Sequence, residues 1–195
     1  MQVKDNIIII ASGNKGKIKD FQDIWNEYKI IPLAEINNDI DVEEDKDTFE
    51  LNAVKKAETI SKLLDGKVCV ADDSGIEIEI LDGFPGVYTK RWLQGSDRDR
   101  NLAILEKMKD FPKEKRRIKF IAAVAISDGV KTISAVETIN GFVSENVRGT
   151  NGFGFDEIFE LENGKTLAEL TSDEKNEISA RKRAIEALKK KLETK

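Results

Sequence analysis

Apolar and polar positions alternate along this chain in two rhythms, one set by strands and one by helices. Ile7 to Ile10 is an unbroken apolar run, which predicts a buried strand over 7–11. Ile18, Phe21, Trp25 and Tyr28 then fall on one side of a helix over 16–28. A short strand follows over 29–34, and an acidic loop runs from Asp39 to Asp47. Asp47-Thr48-Phe49-Glu50 resembles a capping box with Asp47 at the cap, opening a helix that ends before Asp65-Gly66. Residues 67–71 are apolar enough for a buried strand, and 76–81 for another, with Asp72-Asp73-Ser74-Gly75 read as a turn between them. Ile118, Phe120, Ala122, Val124 and Ile126 alternate as a strand does, and Asp128-Gly129 signals a hairpin returning over 130–143. A glycine-rich loop, Gly149 to Gly154, leads to a short strand near 157–161, and a long helix is predicted from Ser172 to Leu192. The order describes an α/β chain with a mixed sheet, part βαβ and part meander.

Charged residues interrupt two of the apolar stripes. Phe49, Ala53, Ile60, Leu63 and Leu64 line the inward face of the second helix, yet Lys56 falls in the middle of that face and Asn52 at its edge. A buried ammonium needs a partner, so Lys56 either snorkels to the surface or points into a polar cleft that holds an anion. In the last helix Ile178, Ile185, Leu188 and Leu192 make the stripe, with Arg181 at its centre. That geometry assumes one unbroken helix; Ser179 is also a suitable cap for a new one.

Composition narrows the chemistry. The chain has 195 residues, read as one domain over 1–195, with an apolar share of 39% and a net charge of −5. No strongly basic stretch favours nucleic acid, and no apolar segment approaches the ~18 residues of a membrane span. No signal peptide is visible, and the one cysteine, Cys69, sits in an apolar run as a reduced thiol does, which fits a cytoplasmic protein. The chain contains no histidine, so His-based triads, HExxH zinc sites and imidazole bases are excluded. Acid–base work falls to carboxylates, Lys, Tyr or Cys69.

Against that background the turn Ser12-Gly13-Asn14-Lys15-Gly16-Lys17 stands out. It joins a strand to a helix N-terminus, where backbone N–H groups and the helix dipole favour a phosphate, and Lys17 adds a charge. It is not a Walker A loop: the first glycine would fall at Ala11, and Ile18 replaces the hydroxyl after the lysine. Asp72-Asp73 lies at the end of an apolar strand, and Glu43-Glu44 forms a second acidic pair; such carboxylates beside a phosphate site suit Mg²⁺. If the strand continued, Asp72 and Asp73 would point to opposite faces; a turn at Ser74-Gly75 lets them converge.

With those residues in place, the chain resembles the inosine/xanthosine triphosphate pyrophosphatases nearly end to end. The matching motifs are Ala11-Ser12-Gly13-Asn14 with Lys17; Thr48-Phe49-Glu50-Leu51-Asn52-Ala53 with Lys56; Ala71-Asp72-Asp73-Ser74-Gly75; Gly83-Phe84-Pro85-Gly86 with Tyr88; Gly152-Phe153-Gly154-Phe155-Asp156; and Glu174-Lys175 with Ser179 and Arg181. The resemblance implies an elongated mixed β-sheet flanked by helices, with two lobes and a nucleotide cleft between them. It also implies a Mg²⁺-dependent homodimer that hydrolyses non-standard purine nucleoside triphosphates to the monophosphate and pyrophosphate. By position, Ser12, Gly13, Asn14, Lys15, Gly16, Lys17 and Lys56 would hold the triphosphate. Asp73 would be the general base and a metal ligand, with Glu43 or Glu44 as a second ligand and Asp72 close by. Ser74 would touch the substrate, Phe153 would stack on the base, and Phe153, Gly154, Phe155 and Asp156 would line its pocket, completed by Lys175 and Arg181. A cationic Arg181 would favour a 6-keto base over adenine.

Two positions depart from the resembled pattern. Ala180 stands where that family usually has the His of Ser-His-Arg, which implies weaker base discrimination. Glu157 replaces a common proline, which adds a charge and is expected to loosen the turn. Two alternatives stay open: the same chemistry on a broader or different nucleotide set, and a nucleotide-binding protein without turnover.

Overall fold

Four consecutive isoleucines make the strand around which the N-terminal half is built. β1 (Ile7–Ile10) pairs in parallel with β2 (Lys29–Pro32) on one side and β3 (Cys69–Ile78) on the other. The computed structural model describes Met1 and residues 3–193. Between those strands run α1 (Lys15–Ile24) and α2 (Phe49–Leu63), giving the right alternation for parallel pairing. The rest of the chain adds β4 (Phe84–Pro85), α3 (Asp97–Met108), β5 (Arg117–Ser127), β6 (Thr132–Val143), β7 (Phe159–Glu160), α4 (Ser172–Glu177) and α5 (Ala180–Glu193). Among the described residues the strands form one seven-stranded mixed sheet in the order β2-β1-β3-β5-β6-β7, with β4 antiparallel to β3 and β7 antiparallel to β6.

The chain divides into two compact units: Met1–Ser74 with Ala122–Glu137 and the segment from Ala180 onward, and Gly75–Ile121 with Thr138–Ser179. In the first unit the sheet is covered on both faces. Ile8, Ile10, Val70, Val124 and Ile126 pack against Phe21, Ala184, Ile185 and Leu188 of α1 and α5. Ile9 and Cys69, which point the other way, pack with Leu33 and with Ile60 of α2. In the second unit Ile76, Ile78, Ile118 and Val143 meet Ile104 and Met108 of α3 together with Ile158 and Phe159.

Four expectations are corrected. Residues 72–75 are not a turn: β3 runs unbroken through Asp72-Asp73-Ser74-Gly75. The helix expected over 172–192 is two helices, α4 and α5, broken at Ile178-Ser179, so Ile178 belongs to the second unit's core while Ile185 and Leu188 belong to the first. The cap of α2 is Thr48, whose hydroxyl accepts the Leu51 N–H, rather than Asp47. Leu63 is 59% exposed, and Asn52 takes its place on the buried face. The helix α3 was not anticipated, although Ser96 and Asp99 form a reciprocal capping box at its start.

A buried arginine ties the second unit together. Arg116 donates from Nε to the Val143 carbonyl (2.7 Å), from Nη1 to that of Met108 (3.0 Å) and from Nη2 to that of Ser144 (2.5 Å). Replacing it by Met keeps the apolar stem but strands these acceptors. Arg116→Met is expected to lower stability by about 2 kcal/mol, read as a lower urea midpoint with an unchanged slope.

Candidate active site

The strand geometry of β3 decides where its carboxylates go. Successive side chains of a strand alternate between faces. Val70 lies on the α1/α5 face, so Asp72 and Ser74 follow it there; Cys69 lies on the α2 face, so Asp73 follows it. The contacts agree. Asp72 Oδ2 stands 2.7 Å from Lys17 Nζ of α1 and 3.6 Å from Arg181 Nε of α5. Arg181 also reaches Asp20 of α1 at 3.4 Å and donates to Ser74 Oγ at 3.5 Å. On the opposite face Asp73 Oδ2 accepts from Asn52 Nδ2 of α2 at 3.0 Å, and its Oδ1 accepts the Ser74 N–H at 2.9 Å.

α2 organises the second face. Lys56, the inward lysine, is 12% exposed and donates to Glu44 Oε1 (2.7 Å) and to the Asp72 carbonyl (2.5 Å). Asn52 is fully buried; its Oδ1 accepts the Lys46 N–H at 2.9 Å while its amide holds Asp73, so one side chain ties the acidic loop to the strand. The two glutamates differ. Glu44 is half-buried and its charge acts on Asp73, whereas the Glu43 side chain is exposed and contributes its carbonyl to Lys55. The structure thus brings Glu44, and not Glu43, to Asp73.

The two neighbouring carboxylates titrate in opposite directions. Burial opposes ionisation of Asp72, but the charges of Lys17 and Arg181 outweigh it and hold the group below the usual aspartate range. Burial raises the Asp73 pKa, and the Glu44 charge adds to it, against the pull of Lys56 and the Asn52 hydrogen bond.

The phosphate-type loop is more closed than expected. Asn14 caps α1: its Oδ1 accepts the N–H groups of Gly16 (2.9 Å) and Lys17 (3.2 Å), and Ser12 Oγ accepts the Asn14 N–H (3.2 Å). Two of the helix amides expected to meet a phosphate are therefore satisfied internally. Neither Gly13 nor Gly16 has a positive φ, and a Cβ on Gly13 would meet nothing within 4 Å. Gly13 leaves open space over the loop, whereas a Cβ on Gly16 would lie 3.2 Å from the capping Asn14 Oδ1. Lys15 is exposed.

The second unit carries the aromatic group. Phe153 is 57% exposed, its N–H donates to Asp156 Oδ2 at 2.8 Å, and Lys175 Nζ lies 5.0 Å from its ring centroid. Lys175 also pairs with Asp156. A Cβ on Gly152 would lie 2.1 Å from Asp156 Oδ2, so that pairing requires glycine there. Phe155 packs partly into the core of its unit. Glu157 does not loosen the turn: its carboxylate accepts from Arg98 and Asn101, each at 3.1 Å. Ala180, at the start of α5, is 1% exposed and is a packing residue, with no side chain offered to a ligand. Sequence reasoning missed Asp20, Asn101 and Asp97, which support the site residues; the capping box at Ser96 is the signal that would have exposed the last two.

Among the described residues no three acidic or cysteine side chains converge as a metal cage. Glu44 and Asp73 nevertheless suit Mg²⁺, which characteristically takes one or two carboxylates and completes its shell with water and substrate phosphates. Glu44 Oε1 and the Asp72 carbonyl face one cation here, the Lys56 ammonium.

Carboxylates and lysines gathered around one strand of an α/β sheet suit a protein that handles phosphates. Comparison makes this specific: residues 8–191 match the Ham1 family model, and the chain belongs to that family. It is 42% identical to the dITP/XTP pyrophosphatase of Clostridium perfringens over 94% of this chain and 96% of that protein. It is also 42% identical to the dITP/XTP pyrophosphatase of Bacillus subtilis, over 95% and 96%. Among solved structures, the Staphylococcus aureus Ham1 protein superposes with a TM-score of 0.89 at 38% identity, covering 96% of this chain and 98% of that one. A HAM1 protein from Coxiella burnetii gives 0.88 at 32% identity, covering 97% and 99%.

Asp72 and Asp73 separate stability from chemistry, and single substitutions test this. Asp72→Asn leaves Lys17 and Arg181 without their shared anion and is expected to cost about 3 kcal/mol in urea unfolding. At Asp73 the effect depends on pH. Because the folded pKa is raised, the stabilising contribution of this proton is complete below the unfolded pKa and lost as pH rises through the folded one. In EDTA the melting temperature of the wild type should therefore fall relative to that of Asp73→Asn as pH rises through the folded pKa, on top of a constant cost from the acceptor that the amide loses toward Asn52 or Ser74.

Proposed function

We propose that this protein is a Mg²⁺-dependent nucleoside triphosphate pyrophosphatase that converts inosine, deoxyinosine and xanthosine triphosphates to the monophosphate and pyrophosphate. The observation that carries the reading is Asp73, a buried carboxylate of raised pKa beside Glu44 and Lys56. It is joined by the Ham1 family membership and by relatives named for this activity.

The assignment follows from what each group can do. Asp73, held by Asn52, orients and deprotonates the water that attacks the α-phosphorus; its raised pKa brings it closer to the range of an effective base. Glu44 and Asp73 would hold Mg²⁺, which when bound would lower the pKa of that water and neutralise charge on the triphosphate. Lys17 and Lys56 move from their carboxylate partners to phosphate oxygens, which replaces one anion by another at each ammonium. Ser12 to Lys17 contribute the open space over Gly13 and the loop's remaining N–H groups. Asp72 keeps Arg181 in place when Lys17 turns to the substrate.

Phe153 stacks on the purine, and Lys175 provides a cationic donor beside it. Arg181, the donor expected there, faces Asp72, Asp20 and Ser74 as Lys175 faces Asp156, and both cations stay assigned to the base pocket. A donor favours the 6-keto oxygen of hypoxanthine and xanthine and leaves adenine's 6-amino group unpaired, at a cost of about 1–3 kcal/mol. The reading includes a homodimer, carried by the family resemblance, and a cytoplasmic location, which the free buried thiol of Cys69 fits. No helix among the described residues is long and apolar enough to cross a membrane.

Pyrophosphate release from inosine, xanthosine, guanosine and adenosine triphosphates, with Mg²⁺ and with chelator, tests the proposal. Release from the first two, at least about tenfold faster than from adenosine triphosphate and lost in chelator, is expected. Asp73→Asn should lower kcat by about 100-fold or more while sparing much of the nucleotide affinity. Binding without release by the wild type would instead mark a nucleotide-binding protein, and equal release from all four would mark a broader specificity.

A further inference from the structure

Phe153 sits between two glycines with left-handed backbones, Gly152 at φ 86° and Gly154 at φ 65°. Glycine on both sides gives the ring little restraint from its own backbone, and ordering it costs entropy. Asp156 accepts the Phe153 N–H from within the loop, and further restraint comes from α3, more than fifty residues earlier in the chain. Asp97 Oδ2 accepts the Gly154 N–H at 2.8 Å, and Asn101 Nδ2 donates to the Gly154 carbonyl at 3.0 Å. The two side chains stand one helical turn apart and so share a face of α3. Between them they tie both backbone polar groups of the residue that follows Phe153.

The clamp is itself anchored. Asp97 Oδ1 accepts from Arg100 at 2.6 Å, which leaves its other oxygen for Gly154. Burial opposes ionisation of Asp97, but the Arg100 and Gly154 hydrogen bonds outweigh it and keep it an acceptor. Asn101 is fully buried and also donates to Glu157 Oε2 at 3.1 Å, and Arg98 donates to the same oxygen at 3.1 Å. A helix is a rigid support, and a site loop gains precision when it is bonded to one.

We propose that Asp97 and Asn101 are positioning residues that hold Phe153 as the stacking platform for the substrate's purine and so set the affinity for the base. They touch neither the phosphates nor the reacting atoms. This inference rests on the reading of the protein as a purine nucleoside triphosphate pyrophosphatase.

The test separates the base from the phosphates. Asp97→Ala and Asn101→Ala are assayed with inosine triphosphate, and inorganic tripolyphosphate, which has no base, serves as competing ligand. The KM for inosine triphosphate is expected to rise about tenfold, the scale of one stacking contact, with kcat changed less than about twofold. The inhibition constant of tripolyphosphate should stay at the wild-type value. Asp97→Asn, whose amide oxygen still accepts the Gly154 N–H, should keep a KM near wild type. Asp97 is exposed, so its alanine variant removes little buried structure. An unchanged KM in both alanine variants overturns the proposal. So does a parallel loss of nucleotide and tripolyphosphate binding, which marks general disruption. A wild-type protein that turns over no nucleoside triphosphate defeats the functional reading and this inference with it, whereas an active wild type with indifferent variants defeats the clamp alone.

Discussion

The two-residue alternation of β3 sends adjacent carboxylates to opposite faces of one sheet, and much of the site depends on that separation. On one face Asp72 joins α1 to α5 by accepting the charges of Lys17 and Arg181. On the other, Asp73 meets α2 and the acidic loop through Asn52, Lys56 and Glu44. A turn at this point would have brought the two acids together, where like charges resist joint ionisation. The strand instead gives each its own environment.

Those environments push the two groups apart in chemistry as well as in space. Asp72 is 2% exposed and remains ionised because two cations face it, so it binds helices to the sheet. Asp73 is desolvated beside another carboxylate, an arrangement that disfavours its charge and suits a proton acceptor or a cation ligand. The protein bears a local instability at Asp73 that its neighbours hold in place. Asn52 does this with two hydrogen bonds, one to the strand and one to the loop.

The aromatic loop of the second unit follows a different logic. Its glycines are required by close approach and by positive φ, and they leave Phe153 dependent on contacts from outside the loop. Asp97 and Asn101 supply those contacts, and Asp156 adds one from within the loop. Glu157 adds a charge to this network and is held by it, so the residue expected to loosen the turn instead joins the clamp.

Local pattern was sufficient for much of this. The isoleucine run, the helix stripes and the alternation over 118–126 are read from neighbours a few residues apart, because periodicity reports which face is buried. Lys56 and Arg181 stood out by the same rule, as charges on apolar faces. The partner each charge takes was not legible. Glu44 rather than Glu43 reaches Lys56 through the path of a loop, and Asp20 reaches Arg181 across 161 positions. The break at Ile178-Ser179 was ambiguous because either side has helical composition; it is settled by Ile178 packing in one core and Ile185 in another. The continuity of β3 through Ser74-Gly75 was misread because turn-favouring residues carry a weak local preference, which sheet pairing and burial on both faces override. The sequence by itself determined the elements, the absence of imidazole chemistry and the set of charged residues that need partners. The tertiary structure decided which charges meet, because desolvation and pairing depend on distances between segments that periodicity does not encode.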